Sequence, residues 1–194
     1  MCTTLVSLGM LRKINYTLCL SLLLVVACKN ANPPNNIDVA NNFIDTFYSF
    51  DGDSLALVLS LAQGSQPNIL YYQKWAECAH YKVMNKGAFI AKNDSVVLCP
   101  ITVKDDLMGS LGIDFNVTDT FHVSVIDGRI HSVETSSNDP EAYYHAKEWV
   151  KLNRPEYVEQ QCKGIWEGGP TPCECVQGMV KGFDEFKSIA PISR

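Results

Sequence analysis

Beyond residue 36, apolar residues recur every three or four positions, a spacing typical of helices with one buried face. The first such run covers residues 37–48, and Asn36 is its predicted N-cap. A second, shorter helix is predicted to start after Asp53. Residues 68–80 predict a third helix that is apolar on two sides.

The period of the pattern then changes to two, which is typical of β-strands. Strands are predicted over residues 81–92, 95–103, 117–126 and 129–136, with one helical turn at 105–111. Asp127 and Gly128 fit the tight turn of a two-residue hairpin. Two more helices are predicted over residues 140–153 and 173–188. Helices followed by an antiparallel sheet indicate the α+β fold class.

Residues 1–27 resemble a bacterial signal peptide. Arg12 and Lys13 precede an apolar run over residues 15–27, which is shorter than the roughly 20 residues of a membrane-spanning helix. The run ends in Val-Val-Ala before Cys28, which resembles a lipobox, where a small residue precedes the Cys that takes the lipid. The alternative is an ordinary signal peptide with a chance Cys at this position. Met10 is an alternative start of translation.

The leader predicts an exported lipoprotein that is membrane-anchored through lipid on Cys28. The polar segment 28–36 contains two prolines and is the predicted tether. Lys29 stands where an Asp would favour retention at the inner membrane, so we expect an outer-membrane anchor that faces the periplasm.

The net charge of the chain limits the classes of partner that it is expected to bind. The chain has 16 basic and 21 acidic residues, and its formal net charge is -5. Phosphate neutralisation by basic side chains supplies most nucleic-acid affinity. An acidic chain without a basic patch is therefore not expected to bind nucleic acid.

Three segments resemble the nuclear transport factor 2-like superfamily, above all its SnoaL-like branch. They are the opening helix at 40–48, the helix with Tyr72 and Trp75, and the hairpin at 118–130 with its Asp-Gly-Arg-Ile turn. The resemblance implies one domain at 37–160, a cone-shaped curved antiparallel sheet wrapped round the N-terminal helices. A ligand pocket is expected at the open end of the cone. Residues 161–194 lie outside the family pattern and predict an extra C-terminal helix, pinned by a disulfide.

Asp119 is the first candidate for a catalytic residue. On the strand 117–126 it shares a face with Phe121 and Val123, whereas His122 faces the other way. A carboxylate in an apolar cavity has a raised pKa and can act as a general acid or base. The alternative is a carboxylate that bonds to backbone at the strand end.

Asp106 is the second candidate for a catalytic residue. Next to Asp105, it forms a pair in which repulsion raises one pKa or in which both groups bind a hard cation. The alternative is a turn in which one Asp caps the segment 107–111.

Aromatic side chains are the candidates for the ligand pocket. In the superfamily the helices form the floor of the cone, so the predicted pocket residues are Tyr48, Tyr72, Trp75 and Phe121. Such a floor suits a small apolar or aromatic ligand. The alternative is plain core packing. Enzymes of the superfamily use Asp, His or Tyr in this pocket, but no complete catalytic set is recognisable here.

Five cysteines follow Cys28, and export favours disulfides between them. Cys162 is predicted to pair with Cys175, or else with Cys173. Cys78 and Cys99 are a possible second pair if the third helix crosses the second strand, and the pairing of Cys78, Cys99 and Cys173 stays open. One thiol is left over. The alternative is a metal site made of Cys162, Cys173, Cys175 and a histidine such as His145.

Three hypotheses for function follow, and none requires a cofactor. The first is an envelope lipoprotein that binds a small molecule in a pocket without a strongly shifted carboxylate. The second is a SnoaL-like lyase or isomerase, with Asp119 buried at the cavity and within reach of a tyrosine donor. The third is a module that forms a homodimer through an apolar outer face of the sheet.

Overall fold

The structure, a computed structural model, describes residues 35–163 and 173–189. The predicted signal peptide, Cys28 and most of the predicted tether lie outside these residues. The elements are α1 (Asn36–Phe47), α2 (Gly52–Val58), α3 (Gln66–Cys78), β1 (Lys82–Lys86), β2 (Ile90–Ala91), β3 (Val96–Lys104), α4 (Asp106–Leu111), β4 (Val117–Ile126), β5 (Arg129–Ser137), α5 (Glu141–Asn153), α6 (Pro155–Val158) and α7 (Cys173–Ile189).

The predicted helices are present, but their N-caps differ from the prediction. Asn35, not Asn36, caps α1, because its side-chain oxygen accepts a hydrogen bond from the Ile37 N–H at 3.1 Å. Asp51, not Asp53, caps α2, accepting from the N–H of Asp53 at 3.1 Å. Each cap acceptor bonds an N–H two residues later, so each helix begins slightly earlier than predicted.

The strands form one curved, unclosed antiparallel sheet in the order β1-β3-β4-β5, with β2 also paired to β3. The single strand predicted over 81–92 is wrong, because two short strands occur there and both pair with β3. Between them the Gly87 N–H bonds to the Pro100 carbonyl oxygen at 2.9 Å, outside the regular ladder. The described part of the chain is therefore mixed α+β, as predicted.

The hairpin of β4 and β5 is formed as predicted. Asp127 and Gly128 have φ angles of 51° and 71°, the left-handed pair that a mirror-image turn requires. This turn and a register shift between Ser124 and Val125 together set the register in which Asp119 lies opposite Ser137. Alternate side chains of β4 are buried, among them those of Asp119 and Phe121.

Two apolar clusters form the core. The first lies between helices α1–α3 and the sheet, and centres on Phe43, Phe47 and Phe121. The second joins the end of α3 to helices α4–α7 and includes Val150 and Phe183. The described residues thus form a second, helical layer in addition to the sheet and helices α1–α3.

Close backbone contact holds α7 within the second cluster. A Cβ at Gly178 would clash with the Tyr157 carbonyl, and one at Gly182 would clash with Val150. Glu185 of α7 also accepts hydrogen bonds from the Tyr157 hydroxyl at 2.6 Å and from Arg154 at 2.5 Å. Helix α7 is therefore packed tightly on α5 and α6.

Two disulfides attach the first turn of α7. The predicted pair Cys162–Cys175 is present, and it closes a loop of 13 residues, worth about 3 kcal/mol by loop entropy. The suggested pair of Cys78 and Cys99 is wrong, because Cys78 bonds to Cys173. Cys99 is a free thiol in the first cluster, whereas Cys78 packs in the second.

The disulfides also contradict the alternative metal site, since Cys162, Cys173 and Cys175 carry no free thiol. No helix within residues 35–163 and 173–189 has the length and apolarity to cross a membrane.

Candidate functional site

A cavity of about 490 Å³ lies between α3, the β4–β5 hairpin and the C-terminal helices. Helix α3 contributes aromatic rings, and the hairpin contributes a carboxyl and hydroxyls. Helices α5 to α7 supply the facing wall. The lining residues that matter for chemistry are Tyr72, Trp75, Tyr81, Asp119, Ser137, Asp139, Tyr143, Lys147, Lys151, Glu159, Met179 and the Cys162–Cys175 disulfide.

Asp119 is the buried carboxyl of this cavity, with 3% of its surface exposed. The pleat of β4 points it inward with Phe121. Its polar partner is the Tyr72 hydroxyl, and its Oδ2 atom has no hydrogen-bond partner among the described residues. The interpretation as a backbone-bonded strand-end residue is therefore wrong. A buried polar atom without a partner is uncommon and calls for a reason.

The protonation of Asp119 follows from its surroundings. Burial raises the pKa of this carboxyl to about 7, because the charged form loses hydration. The hydrogen bond from Tyr72 opposes the rise, and the negative charges of Asp139 and Asp105 add to it. Near neutral pH both the acid and the carboxylate are populated, as a proton-transferring group requires.

Three tyrosines line the same cavity as this carboxyl. Burial raises the pKa of Tyr72, Tyr81 and Tyr143 above the ordinary value, so all three remain protonated donors at neutral pH. The rings of Tyr72 and Tyr81 meet edge to face at 6.3 Å, which places two aromatic donors side by side at the cavity. The site can therefore hydrogen-bond a polar group of a ligand.

Of the predicted pocket residues, Tyr72 and Trp75 line the cavity, whereas Tyr48 and Phe121 do not. Phe121 is fully buried and packs on the Phe47 ring at 4.9 Å, so it belongs to the first cluster. Tyr48 lies in the same cluster, and its buried hydroxyl has no partner among the described residues. Burial and the charge of Asp119 both raise the pKa of Tyr48.

Asp106 lies apart from this cavity. It is half-exposed, and its Oδ2 atom is 2.6 Å from Nδ1 of His80, in a separate surface depression. Asp105 accepts from the N–H of Leu107 at 2.8 Å and caps α4, which confirms the capping alternative. The two predicted catalytic carboxylates are thus not brought together.

The residues of α5 to α7 that line the cavity were not predicted as pocket residues from the sequence. Tyr143, Lys147 and Lys151 recur every four residues on α5 and face the cavity, and Met179 joins them from α7. The four-residue spacing is visible in the sequence. What that face packs against depends on the placement of α7, which local patterns do not define.

Comparisons with protein-family models, with curated proteins and with solved structures found no match for this chain.

The raised pKa of Asp119 predicts a pH-dependent stability. The unfolded chain ionises this group near pH 4, whereas the folded chain keeps it protonated up to about pH 7. Its stabilising contribution, relative to Asn, is therefore full below pH 4 and is lost as the pH rises to 7. We expect the free energy of unfolding of wild type, minus that of Asp119→Asn, to fall by up to about 4 kcal/mol across this window.

Urea unfolding between pH 3.5 and about 8 measures this difference, and other titrating groups cancel in it. Asp106→Asn is the matched control, since it removes a half-exposed carboxylate outside the cavity. A difference that stays flat from pH 4 to 7 would show that Asp119 titrates normally in the folded chain.

Proposed function

We propose that the cavity binds a small molecule with an apolar or aromatic body, and that the chain acts as a ligand-binding or accessory protein of the cell envelope. The observation that carries this proposal is the cavity itself, which combines aromatic rings with a few convergent polar groups. Trp75 and Met179 offer apolar surface, and Tyr72, Tyr81 and Asp119 offer hydrogen bonds.

A second candidate function is proton transfer, as in a lyase or isomerase. One observation favours it: Asp119 is buried, lines the cavity, has an oxygen without a partner among the described residues and lies beside the Tyr72 donor. This is the arrangement expected of the enzyme rather than of a simple binding protein. Asp119 would remove or return a proton, and Tyr72 or Tyr81 would stabilise the developing oxyanion.

Dimerisation receives less support. The outer face of β4 carries Thr118, Thr120 and His122, and His122 lies 3.2 Å from the Ser136 hydroxyl. This part of the surface is polar rather than an apolar patch.

Binding is tested with N-phenyl-1-naphthylamine, a neutral aromatic probe whose fluorescence rises in apolar sites. We expect saturable binding to wild type. Ser137→Trp should bind at least tenfold more weakly, because Ser137 is the cross-strand neighbour of Asp119 at the cavity and an indole there fills the space. Ser132→Trp adds the same ring to an exposed position of β5 outside the cavity and should bind like wild type. Unsaturable binding, or equal binding by both variants, would reject the proposed site.

Proton transfer is tested with 5-nitrobenzisoxazole, an aromatic compound that reports on bases. A base takes its ring proton, the C–H electrons form a nitrile, and the N–O bond breaks to release a coloured phenolate. Because the base must be ionised, we expect the rate to rise with pH through about 7, and Asp119→Asn to lose at least tenfold. Asp106→Asn should keep the wild-type rate; an unchanged rate in Asp119→Asn would refute the role of Asp119.

For the fold and the cellular location we propose a SnoaL-like, nuclear transport factor 2-like domain that is exported and lipidated on Cys28. The curved sheet packed on helices supports the first part. The two disulfides support the second, because such bonds persist in oxidising compartments such as the periplasm.

Lipidation is tested by expressing the full chain in a two-membrane bacterium with labelled palmitate. We expect label in the outer-membrane fraction for wild type and none for Cys28→Ser, since only that thiol would carry the lipid. Cys99→Ser, which removes the free buried thiol, should still be labelled. An unlabelled wild-type chain would contradict the anchor.

A further inference from the structure

Lys147 is a half-buried cation on the cavity wall. In the described ranges, no carboxylate lies within ion-pair distance of its ammonium group, and no hydrogen bond to it is formed. Burial lowers the pKa of Lys147 and the neighbouring charge of Lys151 adds to this effect, whereas the charges of Glu148 and Asp139 partly oppose it. An ammonium group that has lost hydration without gaining a partner would be stabilised by an anion.

The neighbouring cation is already engaged. Lys151 lies one turn further along α5, and its ammonium is 2.7 Å from Glu148. Both lysines line the cavity, but Lys147 differs from Lys151 in having no ion pair within the described residues. The two lysines together make this part of the wall positive, and Lys147 supplies the unpaired charge.

Carboxyl groups elsewhere in the cavity restrict where an anion fits. Asp139 precedes α5, and its negative charge partly offsets the lowering of the Lys147 pKa, although the two groups form no ion pair within the described residues. Asp119 lies on the sheet side, and Glu159 follows α6. These carboxylates repel an anionic group, so we expect it to bind at Lys147, the cavity-lining lysine without an ion pair in the described ranges, while Trp75 and Met179 provide apolar surface for the rest of the molecule.

We infer that the ligand is a small organic acid, whose apolar or aromatic body lies against Trp75 and Met179 and whose anionic group is bound by Lys147. This inference rests on the proposed ligand-binding function and adds to it the charge class of the ligand.

A matched pair of probes tests the inference. 8-Anilinonaphthalene-1-sulfonate and N-phenyl-1-naphthylamine share the same aromatic body, and only the first carries an anionic group. We expect Lys147→Met to weaken binding of the sulfonate about tenfold, as for loss of a hydrogen bond to a charged group, and to leave the neutral probe unchanged. Lys147→Arg should retain most of the sulfonate affinity, because it keeps the positive charge.

Lys92→Met is the control for net charge, since Lys92 is exposed and outside the cavity, and it should bind both probes like wild type. Circular dichroism verifies folding, and Lys147→Gln replaces Lys147→Met if that variant is unfolded. 1-Naphthoate should displace the sulfonate, whereas inorganic phosphate at the same concentration should not; displacement by phosphate alone would overturn the assignment to an apolar acid.

The two proposals fail in different ways. If wild type binds neither probe, the ligand-binding function itself is wrong. If wild type binds both probes and Lys147→Met changes neither affinity, the proposed ligand binding is supported and the role of Lys147 is refuted. A loss of both probes in a folded Lys147→Met variant would also refute it, because the lysine would then shape the pocket rather than bind the anion.

Discussion

The attachment of α7 to the rest of the domain is the constraint on which the cavity depends. Two disulfides, Cys78–Cys173 and Cys162–Cys175, hold its first turn, and the missing side chain of Gly178 lets its backbone approach α6. The second apolar cluster forms only around a helix placed in this way. Helix α7 lines the cavity through Cys175 and Met179 and packs on α5, which supplies three further lining residues. Together with α6 these helices form the wall that faces Asp119 and Trp75 in a cavity of about 490 Å³.

Burial within the cavity explains the raised pKa of Asp119. A carboxyl at the surface of a sheet stays ionised at neutral pH, whereas burial behind aromatic rings penalises the charge and raises its pKa to about 7. The Tyr72 hydroxyl offsets part of this penalty, and one carboxyl oxygen keeps no partner within the described residues. Stability alone would favour an apolar side chain at this position. The retention of a carboxyl there is the physical argument for a role toward a ligand.

Local patterns predicted what depends on local geometry. The period-two alternation placed Asp119 on the inner face of β4, and the Asp-Gly pair at 127 and 128 predicted the hairpin, although not the register shift between Ser124 and Val125. Predictions from local patterns failed where a residue contacts elements that are distant in the sequence. Phe121 shares the inner face but fills the first cluster, because the rings of α1 occupy the space before it. Lys147 was missed and Cys78 mispaired for one reason, since both depend on where α7 packs, which is a long-range contact.

The attachment of α7 by disulfides also connects the proposed export with the proposed binding site. The Cys162–Cys175 bond lines the cavity, so oxidation of these thiols is part of building the wall and not only a means of stabilisation. In a reducing compartment the first turn of α7 would rely on packing alone, and the loop-entropy contribution of about 3 kcal/mol from this bond would be lost. That loss falls on the helix that contributes Cys175 and Met179 to the cavity wall and packs on α5, the helix of Lys147. A site assembled in this way is complete only where disulfides persist, which is where the proposed export would deliver the chain.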